Sequence, residues 1–180
     1  MEIDSNVDVC YKKIALHLAE FLLSTNEKPV ILCVGCDRVT GDSLAPMVGE
    51  MLVKQYNIPA FVYGNLSHNI TAQSIEFSVN QIKLWHPNSP IIVIDATVGE
   101  GCDVGKIKYY KGGCYPAGVF GKNQLKVGDY SLLGVVECKG VSKLNFLHSV
   151  NLKIVVDLAD IIAKSVACAF RFSKLLMPIW

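Results

Sequence analysis

Two aspartates are the residues of this chain whose type and position best suit chemistry. Asp42 lies in a glycine-containing segment, residues 35–43, that follows the apolar run 30–34, and Asp95 directly follows the apolar run 91–94. A carboxylate is costly to remove from water, so two of them facing one crevice would need a functional reason. Two carboxylates held close together cannot easily both ionise, and such a pair can act as acid and base around a water molecule.

Structural and metal-binding roles for these aspartates stay open at the level of sequence. Asp42 or Ser43 could cap the helix predicted to begin near residue 43, and Asp95 could hydrogen-bond to amides of the next loop. The pair could also bind a divalent metal with a third ligand, for which His68 is the best-placed histidine because it follows the second predicted strand. We assign no cofactor from the sequence, and a divalent metal at Asp42 and Asp95 remains an alternative.

The elements that would position these residues alternate between helix and strand. Apolar periodicity and breaker residues predict helices over residues 8–24, 43–56 and 71–85, and strands over residues 30–34, 59–64 and 91–94. This order is typical of a three-layer α/β/α domain with a mostly parallel sheet, here a single domain spanning residues 1–180. If the first three strands are arranged 2-1-3, the strands that precede Asp42 and Asp95 are neighbours and both carboxylates face one crevice.

The second half of the chain is richer in glycine before a long helix. Strands are predicted over residues 105–110, 115–120 and 131–138, followed by a helix whose apolar stripe runs from Leu152 to Val166 and includes Val156. The terminal segment 170–180 is unusually apolar. It is therefore expected to pack on this chain or on a second copy, which makes a homo-oligomer an open possibility.

Composition excludes several classes of function. The 180-residue chain has a formal net charge of +1 and no basic block, so no nucleic-acid partner is expected. No apolar run approaches the length of a membrane span, and the acidic N-terminus does not resemble a signal peptide, so we expect a cytoplasmic protein without a membrane partner. The seven cysteines are odd in number and scattered, which favours buried apolar roles over a disulfide framework.

Several segments resemble the YyaC-type spore proteases, which are sporulation proteins of endospore-forming Firmicutes. The resemblance is carried by residues 33–46, 62–64, 86–88, 91–96 and 127–129. It implies a phosphorylase/hydrolase-like α/β fold, shared with the germination protease and, more distantly, the hydrogenase maturation proteases. Two aspartates are essential in the germination protease, and the matching positions here are Asp42 and Asp95. The corresponding acidic positions of the hydrogenase maturation proteases bind nickel together with a later histidine, but no histidine follows Asp95 here at a comparable distance.

The resemblance implies an aspartate-dependent endopeptidase that acts on cytosolic proteins during sporulation or germination, in the forespore or spore core. Asp42 and Asp95 would activate a water and protonate the leaving nitrogen of a protein or peptide substrate. Five further residues are expected to bind substrate or shape the loop: Asp37, Arg38, Thr40, Ser43 and His68. The alternatives are a non-catalytic binding or regulatory protein on the same fold, and a metal-dependent peptidase of the maturation type.

Overall fold

The computed structural model describes residues 2–4, 10–116, 125–138 and 150–176. The strands of these residues are β1 (Glu2–Asp4), β2 (Val30–Cys33), β3 (Phe61–Tyr63), β4 (Ile91–Gly99), β5 (Lys106–Lys111) and β6 (Tyr130–Cys138). Their α-helices are α1 (Cys10–Leu23), α2 (Leu44–Met51), α3 (Ile75–Trp85) and α4 (Leu152–Leu176). Helix α2 is preceded by a 3-10 turn, Gly41–Ser43, and continues into a π-helical turn, Leu52–Tyr56.

The strands form one mixed sheet in the order β1-β5-β6-β4-β2-β3. The pairs β2·β3, β2·β4 and β4·β6 are parallel, whereas β5 and β1 add antiparallel to the far side. The predicted 2-1-3 arrangement is therefore confirmed, since β3, β2 and β4 lie in that spatial order. Cys33 at the end of β2 is opposite Ile94, so the strands that precede Asp42 and Asp95 are neighbours.

Helices cover both faces of the sheet. One core joins α1, α2 and α4 to alternate strand residues such as Ile31 and Ile92. A second core joins α3 to the intervening residues, for example Leu32 and Val93. Because successive side chains of a strand point to opposite faces, this is the predicted three-layer α/β/α arrangement. All four residues of β2 are buried, which explains why its sequence shows no alternation.

Two expectations about these elements are wrong in detail, and one strand has no counterpart in the sequence predictions. Strand β4 does not end at Ile94 but continues to Gly99, so Asp95 lies inside the strand. The stripe of α4 is less buried than predicted, since Leu152 is 58% exposed and Val156 38% exposed. The segment Glu2–Asp4 forms an edge strand for which the sequence carries no prediction.

The strand predicted over residues 115–120 is not found in the part of it that the structure describes. Tyr115 and Pro116 are not in a strand, and the rest of the predicted strand lies outside the described residues. The expectation that most cysteines are buried is wrong for the six whose side chains are described: Cys33 and Cys114 are buried, Cys102 is exposed and the others are half-buried. All six are free thiols. The terminal segment is helical as far as residue 176, and residues 177–180 are not described. In the part of the chain that the structure describes, no helix is long and apolar enough to cross a membrane.

Candidate active site

The loop that carries Asp42 folds back on itself between β2 and α2. The amide of Cys36 donates to the carbonyl oxygen of Asp42 at 3.2 Å, and the amide of Gly35 donates to the carbonyl oxygen of Ile70 at 2.8 Å. A Cβ atom on Gly35 would collide with the same carbonyl oxygen of Asp42. The glycine therefore lets the end of β2 approach Asp42 closely and fixes where this aspartate emerges from the loop.

Asp42 opens into a cleft of about 870 Å³ at the carboxyl end of β2 and β3. One wall is its own loop and the other is the segment between β3 and α3. The lining residues are Cys36, Asp37, Arg38, Asp42, Leu66, Ser67, Asn69, Thr71, Ala72 and Gln73. This edge of a parallel sheet is where α/β proteins bind their ligands.

Asn69 joins the two walls of the cleft. Its side-chain oxygen accepts the backbone amide of Asp37 at 3.0 Å, and its side-chain nitrogen donates to the carbonyl oxygen of Asn65 at 2.8 Å. Asn69 is not among the residues predicted from the sequence. The available signal was an asparagine in the loop after the strand that flanks β2, where Asx side chains commonly bond to backbone groups.

The carboxyl group of Asp42 has an environment suited to proton transfer. It is partly buried, and burial raises its pKa to about 6, against a smaller lowering by the backbone amide of Cys36. A carboxyl group with a pKa near neutrality can both accept and release a proton under cellular conditions. Asp42 is therefore the strongest acid–base candidate lining the cleft.

The capping role considered for this segment is wrong. Ser43 occupies the N-cap position of α2, but neither α2 nor the preceding 3-10 turn has a side-chain capping hydrogen bond. Instead the Ser43 hydroxyl donates to the carbonyl oxygen of Thr40 at 2.7 Å. Ser43 is 7% exposed, so this bond holds the loop from inside. Capping therefore gives no reason for the carboxylate at Asp42.

Asp95 lies at the same end of the sheet as Asp42 but is more deeply buried. It is 6% exposed, and its Oδ1 atom accepts the amide of Ala96 at 2.8 Å. The amide of Val34 donates to the carbonyl oxygen of Ile94 at 2.9 Å, which puts Asp95 level with the beginning of the Asp42 loop.

Burial raises the pKa of the Cys114 thiol to about 11, and the charge of Asp95 adds to this shift, so the side chains of Cys114 and Asp95 are close. Of the two aspartates, the described cleft wall includes Asp42 alone.

The other predicted residues divide into cleft residues and loop residues. Asp37 and Arg38 are exposed and line the cleft. Among the described residues, the Arg38 guanidinium has no carboxylate within ion-pair distance. His68 does not line the cleft; its amide is held by the Asn65 side chain at 2.8 Å and its side chain is exposed.

A metal site was the alternative use of these carboxylates. In the described ranges, no three His, Cys, Asp or Glu side chains come together in a group that could hold a metal ion. His68, the predicted third ligand, belongs to no such group.

The fold and the site define an α/β protein with a polar, acid-bearing cleft at the carboxyl ends of parallel strands. A family model described as a protein of unknown function, DUF1256, matches residues 2–165, and the chain belongs to this family. The uncharacterized protein YyaC of Bacillus subtilis (strain 168) is 33% identical over 162 residues, which cover 89% of this chain and 78% of that protein. The predicted resemblance to YyaC-type proteins is confirmed.

The chain is also similar to a solved structure, the NiFe hydrogenase maturation protease HycI from Thermococcus kodakarensis KOD1. The TM-score is 0.41 at 16% identity, covering 81% of this chain and 98% of that one. A likeness at this level transfers no residue role to the present chain.

Proposed function

We propose that this chain is an aspartate-dependent endopeptidase of the YyaC type that cleaves protein chains in the cytosol of sporulating or germinating cells. The observation that carries the proposal is the Asp42 carboxyl group, partly buried in an open cleft, with its pKa raised to about 6. Among the described residues Asp42 has no ion pair and caps no helix, and the amide of Cys36 lowers its pKa less than burial raises it.

In the proposed mechanism Asp42 is the general base. At neutral pH its carboxyl group is mostly ionised and takes a proton from a water molecule, whose oxygen attacks the carbonyl carbon of the scissile peptide bond. Asp95, which the mechanism requires in its protonated form, donates its proton to the leaving amide nitrogen as the C–N bond breaks. Asp42 then gives up the proton it took from water, and Asp95 regains one, either by transfer between the two carboxyl groups or by exchange with solvent. Both residues are back in their starting states, and the overall reaction consumes one water.

The remaining cleft residues suit the binding of a peptide. The Arg38 guanidinium lines the cleft and has no carboxylate partner among the residues that the structure describes, so we expect it to bind a carbonyl or carboxylate oxygen of the substrate. The Ser43 hydroxyl holds the loop by donating to the backbone carbonyl of Thr40. The backbone amide of Asp37 is held in the cleft wall by the side chain of Asn69. His68 is exposed beside the cleft-lining residues Ser67 and Asn69, so in this proposal it would contact only a substrate that extends beyond the cleft.

The test is to change Asp42 and Asp95 separately to asparagine and to measure cleavage of proteins extracted from spores. Each change should lower the rate by about 10²-fold to 10⁴-fold, the usual contribution of a positioned acid or base. Asp157→Asn on α4 is the matched control, since it removes one carboxylate that pairs with Lys153 at the surface, away from the cleft. Unchanged cleavage in both variants would end the proposal, and activity that disappears with a chelator and returns with a divalent metal would favour the metal-dependent alternative.

A second candidate function is a binding or regulatory protein that keeps this fold without turnover. The burial of Asp95, which is 6% exposed and absent from the described cleft wall, favours it. In that case the protein should form a stoichiometric complex with a spore protein and yield no product after long incubation. Asp42→Asn should then leave the affinity of the complex within about twofold.

A further inference from the structure

The outer edge of the sheet next to the cleft has main-chain groups available for pairing. β3 is the last strand in the sheet order and pairs with β2 alone. The amide of Phe61 donates to the carbonyl oxygen of Pro29 at 3.0 Å, so Phe61 and Tyr63 direct their backbone groups towards β2. Along a strand, the backbone groups of successive residues point alternately to one neighbouring side and the other. The N–H and C=O of Val62 therefore point away from β2. Neither group has a partner among the described residues.

This edge is held rigid by side chains on one side of β3. The His86 ring stacks on the Phe61 ring with centroids 3.9 Å apart, and a 2.8 Å hydrogen bond joins His86 Nε2 to the Tyr63 hydroxyl. The Lys28 ammonium lies 4.2 Å from the centre of the Phe61 ring. A strand fixed in this way loses little conformational freedom when another strand pairs with it.

The edge leads directly into the cleft that contains Asp42. Leu66, the first residue of the opposite cleft wall, follows Tyr63 by three positions, which corresponds to at most about 10 Å of chain. A segment paired with β3 and continuing past its carboxyl end would therefore enter the cleft after about three residues. Three strand residues are also too few to form the long, flat edge that promotes aggregation.

We propose that β3 is the docking edge for the substrate, which binds as an extended peptide strand through the main-chain groups of Val62 and continues into the Asp42 cleft. This inference rests on the proposed function and names the form of its substrate: an unfolded or extended segment of a protein chain. The specificity would come mainly from backbone geometry, with the half-buried rings of Phe61 and Tyr63 offering shallow contacts for alternate side chains.

Because main-chain contacts tolerate many sequences, a mixture of randomised decapeptides serves as the probe. The full chain carrying Asp42→Asn is labelled with ¹⁵N, so binding is measured without any need for cleavage. Addition of the mixture should shift the amide signal of Val62 and slow its hydrogen exchange. The same mixture N-methylated at every residue should not bind, since it lacks the amide donors of a strand.

Variants of Val62 separate the backbone from the side chain. Val62→Pro removes the outward N–H and leaves the bonds of β3 to β2 in place, as proline at an edge strand does, and should weaken binding about tenfold. Val62→Ala keeps the N–H and should change binding less than about twofold. If Val62→Pro does not fold, as judged by circular dichroism, the comparison of the two peptide mixtures decides alone.

Several results would overturn the docking proposal. They are binding that leaves Val62 unaffected, equal binding of the N-methylated mixture, or no binding at millimolar peptide. A shift of the Val62 signal with protein concentration alone would assign the edge to a second copy of this chain instead. All of these outcomes are measured without cleavage of the peptide. They therefore test the docking proposal separately from the proposal that the protein is a peptidase.

Discussion

Gly35 and Asp42 approach so closely that a side chain at Gly35 would overlap the carbonyl oxygen of Asp42. The contact joins the end of β2 to the residue whose carboxyl group opens into the cleft. Because the collision would involve backbone rather than the end of a flexible side chain, a substituent at Gly35 could be accommodated only by moving the loop. The position of the proposed general base thus depends on a residue with no chemical function.

Gly35→Ala should therefore destabilise the protein by about 1–3 kcal/mol, the usual cost of forcing extra volume into a packed site. Gly101→Ala is the control, because a Cβ atom there would meet no atom within 4 Å. The free energy of unfolding of the Gly101→Ala variant should stay within about 0.5 kcal/mol of that of the wild type. Urea denaturation of both variants measures the difference, and equal stability of the two would contradict the close contact.

Asp42→Asn should make the protein more stable near neutral pH. The folded protein keeps the Asp42 proton up to about pH 6, whereas an unfolded chain releases it near pH 4. Between these pH values the folded state binds more protons than the unfolded state, so the free energy of unfolding falls as pH rises. The destabilisation caused by the buried Asp42 charge is complete above about pH 6. Removal of the charge should therefore add about 1–2 kcal/mol at pH 7.5, after allowance for solvent screening of a partly exposed group.

The same gain should vanish at about pH 3.5, where the carboxyl group is neutral in both states. Urea denaturation at the two pH values gives the comparison, with Asp37→Asn as the control from the exposed wall of the same cleft. A stability of Asp42→Asn that is lower than wild type at both pH values would show that the carboxylate has a structural partner.

The rate of cleavage should fall as pH decreases through about 6. Asp42 acts as a base in the proposed mechanism, and its raised pKa sets the point at which protonation removes that base. Measurement of kcat/KM from about pH 4 to 8 should show this acid limb in the wild type and in Asp157→Asn. A limb centred near pH 4, or a rate that instead rises below pH 6, would remove Asp42 from the role of base.

The sequence predicts those parts of the site that depend on local pattern. Uninterrupted apolar runs identify β2 and β4, and the alternation of helix and strand makes them parallel neighbours, which brings Asp42 and Asp95 to one end of the sheet. The depth of Asp95 could not be predicted, because the polar and small residues after Ile94 conceal the continuation of β4 alongside β6. That pairing depends on a partner strand some forty positions away.

Long-range backbone contacts account for the other omissions. The bond from Asn69 to the Asp37 amide links residues 32 positions apart, and no local pattern distinguishes it from an ordinary loop asparagine. The apolar periodicity predicts one helix over residues 43–56, but the chain changes to a π-helical turn at Leu52–Tyr56, which ends with Asn57 in the left-handed conformation. Periodicity alone does not report such a change of winding.

Asn69→Ala should impair the proposed activity more than it impairs the fold. The variant removes both the acceptor for the Asp37 amide and the donor to the Asn65 carbonyl. The two cleft walls then lose their side-chain link and keep the backbone bond from Gly35 to Ile70. Both bonds of the Asn69 side chain are near the surface, so the free energy of unfolding should decrease by only about 1 kcal/mol. Displacement of the Asp42 loop by even 1 Å should lower kcat about 10²-fold.

Asn69→Asp separates the two contacts, since it keeps an oxygen for the Asp37 amide and loses the donor to the Asn65 carbonyl, while adding one negative charge to the cleft wall. It should recover part of kcat relative to Asn69→Ala, and Asn80→Ala on the exposed face of α3 should match the wild type. Steady-state kinetics and urea denaturation on the same samples distinguish the two effects. Equal kcat in wild type and Asn69→Ala would mean that the loop holds Asp42 through Gly35 and Ile70 alone, and that Asn69 has no positioning role.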